Sequence, residues 1–282
     1  MRKTSGPRRS GRTMLLMGAL TLSLAAAACS STGDDKPAAQ APATVPAPDP
    51  NKPGILLVHG AFADGSSWAG VAEQLQAKGF RVTTAAVPLR GLDYDSAYIR
   101  GILDGMPGKT LLVGHSYGGA VITNAAAGSG KAAGLVYVTA FAPDRGESLG
   151  ELDGRYGGPA TKITVPHQIP GESVPELRIA DDKFREYFAQ DLPATRAAVF
   201  AAGQRPISVA AFTEKGGEPA WKTLPSWYLV AADDRMIPPA GQREMAARAH
   251  ATVTERPGSH AIAVSNPVAV VGVIEQAAGS VH

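Results

Sequence analysis

The chain has 282 residues, of which 44% are hydrophobic and 18% charged, as expected for a globular protein with a sizeable core. Its formal charge of +2 is misleading, because residues 1–29 hold five of the 27 basic residues and none of the 25 acidic ones, so that 22 basic and 25 acidic residues remain in the rest. This balance argues against nucleic-acid binding, and the single cysteine, Cys29, excludes an internal disulfide and a multi-cysteine metal site. The sequence contains no cofactor or metal motif, so we expect neither.

Residues 1–29 have the pattern of an export signal. Basic residues precede Met14–Ala28, an apolar run of 15 residues that is too short to span a bilayer. The run ends in Leu24-Ala-Ala-Ala-Ala-Cys29, which resembles a bacterial lipobox, the motif whose cysteine is lipidated after cleavage. We therefore expect a lipoprotein anchored through Cys29 to the outer face of the bacterial cell membrane, or a secreted protein if the lipobox is not used.

Residues 30–53 have the composition of a linker, with six prolines, many alanines and no aromatic residue. One domain is predicted over residues 54–282, where near-continuous apolar runs alternate with helical patterns. Strands are predicted at 54–60, 80–87, 111–113, 133–140, 226–232 and 252–255, and helices at 68–78, 95–103, 120–127, 239–249 and 267–277. This alternation predicts an α/β fold with a doubly wound, mostly parallel six-stranded sheet covered by helices on both faces.

Residues 143–225 interrupt the alternation. They are rich in proline, glycine and polar residues, with short helical patches at 181–190, 193–202 and 207–212. We predict a helical cap insertion over the loop-bearing side of the sheet. Phe184, Tyr187 and Phe188 form one helical stripe, which we expect to pack the cap against the core rather than to contact a substrate.

The chemically most informative segment is Gly114-His-Ser-Tyr-Gly118, which lies between a predicted strand and a predicted helix. A G-x-S-x-G pentad in this context is typical of a nucleophile elbow, a sharp turn that presents the serine hydroxyl at the edge of the sheet. Ser116 is therefore the candidate nucleophile.

A serine hydroxyl needs a general base, and the base needs an acid that orients it. Of the six histidines, His260 follows the last predicted strand and lies in a loop, as the chain order serine, acid, histidine requires. Asp233 and Asp234 both follow the fifth strand and are the candidate acids, with Asp234 preferred.

Backbone N–H groups must stabilise the negative oxygen that forms when the serine attacks a carbonyl. The candidates are Tyr117, directly after the serine, and Ala61, in the loop after the first strand, with Phe62 as the alternative to Ala61. His59 lies just before this loop and is expected to be structural rather than a base.

Together these segments resemble the α/β-hydrolase superfamily, and within it the small six-stranded branch of bacterial carboxylesterases, plant methylesterases and hydroxynitrile lyases. The matching segments are Val58–Phe62 with Trp68, Gly114–Gly119, Asp234–Pro238 with Gln242, and Gly258–His260. The resemblance supports Asp234 as the acid, because the family places its acid just before a charged residue. It implies an α/β-hydrolase fold and a Ser-His-Asp triad without a cofactor.

The sequence thus predicts a serine esterase that acts on small to medium carboxylic esters. Perhydrolysis without a cofactor, haloperoxidase chemistry or C–C bond hydrolysis on the same triad is the alternative. Cyanide release is disfavoured, because the lyases of this branch carry a lysine where Ala261 stands. A non-catalytic anchored binding protein is the remaining hypothesis, although it would not need to retain all three triad residues. The sequence gives no prediction about protein partners.

Overall fold

The computed structural model describes residues 46–281. The predicted signal segment, Cys29 and most of the predicted linker therefore lie outside the described residues. No helix within the described range is long and apolar enough to cross a bilayer.

The described residues form strands and helices in alternation over most of the range. The strands are β1 (Gly54–Val58), β2 (Val82–Ala85), β3 (Thr110–His115), β4 (Ala132–Val138), β5 (Thr164–His167), β6 (Glu176–Ile179), β7 (Ile207–Ser208), β8 (Ser226–Ala231) and β9 (Thr252–Arg256). The α-helices are α1 (Ala69–Ala77), α2 (Leu92–Gly105), α3 (Tyr117–Ala125), α4 (Leu149–Tyr156), α5 (Ala160–Ile163), α6 (Asp181–Phe188), α7 (Ala194–Ala202), α8 (Ala210–Thr213), α9 (Pro239–Arg248), α10 (Ile262–Ser265) and α11 (Pro267–Ala278), and short 3-10 helices cover Gly65–Trp68 and Ala220–Lys222.

The central sheet has six strands in the order β2-β1-β3-β4-β8-β9, and every neighbouring pair is parallel. Its two faces are buried in two separate hydrophobic clusters: Ile55 and Leu57 of β1 belong to one, Leu56 and Val58 to the other. Helices α1 and α11 cover the first face, and α2, α3 and α9 the second. The predicted doubly wound α/β sheet is confirmed.

The segment between β4 and β8 contains α4 to α8 and a second sheet that the sequence does not predict. This sheet is antiparallel, in the order β5-β6-β7. The predicted helical patch at 207–212 is therefore partly wrong, because Ile207 pairs with Leu177 and helix α8 begins only at Ala210. These strands have two to four residues each, too few for an alternating pattern to be detected in the sequence.

The carboxyl ends of the parallel strands meet at one edge of the central sheet. Five of the loops that leave this edge carry the residues that matter for the site. They carry Ala61 and Phe62 after β1, Ser116 after β3, Thr139 after β4, Asp233 and Asp234 after β8, and His260 after β9.

Candidate active site

Ser116 lies on a strained turn between β3 and α3. Its backbone has φ 54° and ψ −123°, a conformation that a side-chain-bearing residue rarely adopts and that costs about 1–3 kcal/mol. The flanking glycines are required by close packing: a Cβ on Gly114 would lie 2.5 Å from the carbonyl oxygen of Gly118, and one on Gly118 would lie 2.4 Å from that of Val58. The surrounding backbone therefore holds the serine at the edge of the sheet.

The structure brings the side chains of Ser116, His260 and Asp234 into one hydrogen-bonded line. His260 Nε2 lies 2.9 Å from Ser116 Oγ, and His260 Nδ1 lies 2.8 Å from Asp234 Oδ2. All three residues are buried, with exposed fractions of 7%, 1% and 4% respectively. With its proton on Nδ1, His260 donates to the carboxylate and accepts from the serine hydroxyl, the arrangement that a general base requires.

The carboxylate of Asp234 is fixed on both oxygens. Oδ1 accepts the backbone N–H groups of Met236 (2.7 Å) and Ile237 (3.0 Å). Oδ2 also accepts the side-chain amide of Gln242 at 2.9 Å and the hydroxyl of Thr139. These donors stabilise the ionised carboxylate and hold it toward His260.

The neighbouring carboxylate of Asp233 points elsewhere. Its Oδ2 accepts the backbone N–H of Gly258 at 3.0 Å, and its own N–H donates to the carbonyl of Gly258 at 3.1 Å. Of the two candidate acids, Asp234 meets the imidazole and Asp233 braces the loop that carries it.

Three further residues position the loop of His260. His115 Nε2 donates to the carbonyl oxygen of His260 at 2.8 Å. Asp191 accepts the backbone N–H of Ser259 at 2.9 Å and its hydroxyl at 2.5 Å. The ring of Phe188, from the predicted aromatic stripe, packs edge-on against the imidazole of His260 with centroids 4.8 Å apart.

His59 bridges the loops that follow β1 and β2. Its Nε2 accepts the N–H of Val87 at 3.0 Å, so its proton is on Nδ1, which lies 2.9 Å from the carbonyl oxygen of Gly60. Burial lowers the pKa of His59 to about 4, and the ring is therefore neutral at neutral pH. The contacts of His59 are those of a structural residue.

The candidate oxyanion donors lie beside the serine. Ala61, Phe62 and Tyr117 line the same pocket as Ser116. Among the described residues, no protein group accepts the N–H of Ala61 or of Phe62, and the N–H of Tyr117 is at the first position of α3, where helical N–H groups have no partner within the helix. The phenol of Tyr117 points away and donates to Asp95 at 2.7 Å.

The pocket next to Ser116 is narrow, with a cavity volume of about 20 Å³. Apolar side chains line most of it, contributed by the sheet edge and by the segment between β4 and β8 (Phe141, Leu149, Phe212, Met236 and Ile237). Asp153 of α4 also lines the pocket, and burial raises the pKa of its carboxyl to about 6. No group of three or more histidine, cysteine or acidic residues that could hold a metal ion is found within residues 46–281.

Sequence reasoning named Ser116, His260 and Asp234, which the structure brings together, but it did not name Thr139, Asp191 and Asp153. Thr139 directly follows β4, and its position at the sheet edge could have marked it. The other two lie in the segment between β4 and β8, whose path over the sheet the sequence does not reveal.

Comparison with known proteins places the chain in a family. Residues 55–273 match the family model described as "Alpha/beta hydrolase family". The chain is 30% identical to a pyrethroid hydrolase of Sphingobium wenxiniae over 234 aligned residues. The alignment covers 76% of this chain and 83% of the relative. An alpha/beta hydrolase of Aspergillus novofumigatus is 26% identical over 254 residues, or 81% and 97% of the two chains.

Solved structures agree on the fold. The crystal structure of a pyrethroid hydrolase from Sphingobium faniae JZ-2 superposes with a TM-score of 0.68 and 25% identity, covering 81% of this chain and 98% of the other. A methylesterase from Arabidopsis gives a TM-score of 0.69 at 20% identity, covering 81% and 99%. The chain is an enzyme of the alpha/beta hydrolase family.

Proposed function

We propose that the chain is a serine esterase that hydrolyses carboxylic esters of small to medium molecules. The observation that carries the proposal is the unbroken line of hydrogen bonds from Ser116 Oγ through His260 to Asp234, with distances of 2.9 and 2.8 Å, at the wall of an apolar pocket. Relatives named pyrethroid hydrolase and carbendazim hydrolyzing esterase support the reaction class, the latter with 37% identity over 108 residues.

The reaction begins when His260 Nε2 takes the proton of Ser116 Oγ as the oxygen attacks the ester carbonyl carbon. Asp234 stabilises the imidazolium that forms. The tetrahedral intermediate collapses to an acyl-serine, and His260 gives its proton to the departing alkoxide. A water molecule then attacks the acyl-serine while His260 accepts its proton. The second tetrahedral intermediate collapses with cleavage of the bond to Ser116 Oγ, to which His260 gives the proton, and the carboxylic acid is released.

The oxyanion of each intermediate binds the N–H groups of Tyr117 and Ala61. This assignment is supported by the place of both residues on the pocket wall and by the lack of a protein acceptor for the N–H of Ala61 within residues 46–281. Phe62 shares both features and is the alternative to Ala61. Each donor is expected to contribute about 3 kcal/mol to transition-state stabilisation.

Hydrolysis of short p-nitrophenyl esters by Ser116→Ala and by wild type tests the proposal. We expect the variant to lose both ester hydrolysis and labelling by a fluorophosphonate probe. Its thermal unfolding temperature should stay close to that of wild type. Ser280→Ala changes an exposed serine that follows α11 and should behave as wild type. Full esterase activity in Ser116→Ala would refute the mechanism.

We also propose that residues 1–29 direct export and that Cys29 carries a lipid anchor on the outer face of the cell membrane. Support comes from the sequence pattern alone. The test is fractionation of cells that produce the full chain: wild type should be found in the membrane fraction and incorporate labelled lipid, and Cys29→Ala should lose both. Equal fractionation of the two proteins would refute the anchor.

A further inference from the structure

Within residues 46–281, Asp153 is the one acidic side chain on the wall of the pocket beside Ser116. The other polar side chains on this wall are already engaged, because Ser116 Oγ contacts His260 and the phenol of Tyr117 contacts Asp95. Asp153 is thus the polar group of this pocket that neither the proposed reaction nor another side chain uses.

The carboxyl of Asp153 is held rigidly. It lies on α4, which begins with a capping box between Ser148 and Glu151 and ends at Gly157 in the left-handed conformation (φ 74°). A Cβ on the next residue, Gly158, would lie 2.0 Å from Asp153 Oδ1, so the carboxyl is seated against bare glycine backbone. The residue is 6% exposed.

This buried carboxylate has little to compensate its charge. No lysine, arginine or histidine nitrogen of the described residues lies within 4.0 Å of it, and no described side chain donates a hydrogen bond to it. The N–H of Ala160 stabilises the charged form, and Lys162 acts on it only from a greater distance. A carboxylate can accept about four hydrogen bonds, and an uncompensated buried charge is costly. An apolar residue here would make a more stable pocket wall.

We propose that Asp153 is a specificity residue that binds a protonated amine of the substrate, so that the preferred esters carry a cationic group. A cation supplies the charge that the protein does not, through a charge-assisted hydrogen bond in a water-poor site. The apolar side chains of Leu149 and Phe212 on the same wall suit the carbon chain between the ester and the amine. The inference rests on the proposed esterase function.

The experiment compares esters that differ at a single atom. One member of each pair ends in a protonated dimethylamino group and the other in the isosteric isopropyl group, at increasing chain length on the acyl side and on the alcohol side. At pH 7.5 we expect wild type to favour the cationic member by at least tenfold in kcat/KM in one of the two series. Asp153→Asn should lose this preference, so that the ratio of kcat/KM for the cationic and the neutral member falls toward one.

Asp182→Asn is the matched control, because it removes the same charge from an exposed position of α6. It should leave the preference unchanged. An equal ratio of the two rates in wild type and Asp153→Asn would overturn the proposal.

A plain p-nitrophenyl butyrate separates failure of this inference from failure of the proposed function. If wild type cleaves butyrate but does not favour the cationic esters, only the role of Asp153 is refuted. If wild type cleaves no ester, both fall. If Asp153→Asn fails to fold, wild type is labelled instead with two fluorophosphonates that end in the dimethylamino and the isopropyl group. Faster labelling by the cationic probe supports the role of Asp153, and equal or slower labelling refutes it.

Discussion

The imidazole of His115 donates a hydrogen bond from Nε2 to the carbonyl oxygen of His260, across a distance of 2.8 Å. Burial lowers the pKa of His115 well below its ordinary value, so the ring stays neutral and its donor role does not vary with pH near neutrality. The residue that precedes the proposed nucleophile therefore anchors the backbone of the proposed base.

Replacing His115 by alanine should lower kcat by about 10- to 100-fold with a smaller effect on KM, because a shift of about 1 Å in a catalytic group has effects of this size. Steady-state kinetics on p-nitrophenyl butyrate measures the split between kcat and KM. His115→Gln retains an N–H donor and should recover part of kcat. His167→Ala, at an exposed histidine, is the control. An unchanged kcat in His115→Ala would contradict the anchoring role.

Asp233 and Asp234 are adjacent carboxylates with different hydrogen-bond partners, the backbone of Gly258 and the imidazole of His260 respectively. Asp234→Asn should lower kcat by about 10⁴-fold, because an amide no longer holds the Nδ1 proton of His260 and favours the wrong tautomer. Asp233→Asn should cost about tenfold or less, since an amide oxygen can still accept the N–H of Gly258, now 3.0 Å from Asp233 Oδ2. Equal losses in the two variants would show that Asp234 is not the orienting acid.

The sequence could predict the sheet and the three candidate triad residues because each has a signal in its own stretch of sequence. An apolar run followed by a pentad marks Ser116, and a position just after a predicted strand marks Asp234 and His260. Parallel strands then bring these loops to one edge. Contacts between distant segments have no local signal: Asp191 meets Ser259 68 residues away, and Thr139 meets Asp234 95 residues away. The short strands β5 to β7 were missed for the related reason that pairing, rather than a sequence pattern, defines them.

Acid should destabilise the protein through His59. Its pKa is about 4 in the folded chain, against an ordinary value of 6.5, because burial disfavours the charged ring. Between these values the unfolded chain binds the proton and the folded chain does not, so the free energy of unfolding falls as pH falls from 6.5 to 4. The full loss from this residue is about 3 kcal/mol.

Urea unfolding of wild type and His59→Gln between pH 4 and 7 tests this dependence. The variant should be less stable at pH 7, where the contacts to Gly60 and Val87 are altered, but its stability should depend less steeply on pH. Some dependence should remain, because His115 acts in the same direction. Parallel curves for the two proteins would contradict the assignment to His59.

Asp153 should reduce stability above neutral pH. Burial raises its pKa from 3.8 to about 6, so the folded chain binds the proton more tightly than the unfolded chain, and stability falls as pH rises through this interval. Asp153→Asn should therefore raise the free energy of unfolding at pH 8 by at most about 3 kcal/mol and have little effect near pH 3.5. Urea unfolding at pH 8 and pH 3.5 measures this difference in the free energy of unfolding. Asp182→Asn is the control, because it removes the same charge from an exposed position. A loss of stability at pH 8 would show that the carboxylate has a protein partner.

Gly118 and Gly101 lie in helices α3 and α2 but differ in the space around them. A Cβ on Gly118 would lie 2.4 Å from the carbonyl oxygen of Val58 and 2.8 Å from that of His59, whereas a Cβ on Gly101 would meet no atom within 4 Å. Gly118→Ala should destabilise the fold by about 1–3 kcal/mol, because backbone has to move. It should also reduce ester hydrolysis in the molecules that remain folded, since the displaced strand end leads into the loop of Ala61. Gly101→Ala should stabilise the protein by about 0.5–1 kcal/mol and leave activity unchanged. Urea unfolding measures the stability of both variants, and kcat is measured at a temperature well below the unfolding midpoint. If Gly118→Ala had the same stability and kcat as wild type, the packing argument for the elbow would be refuted.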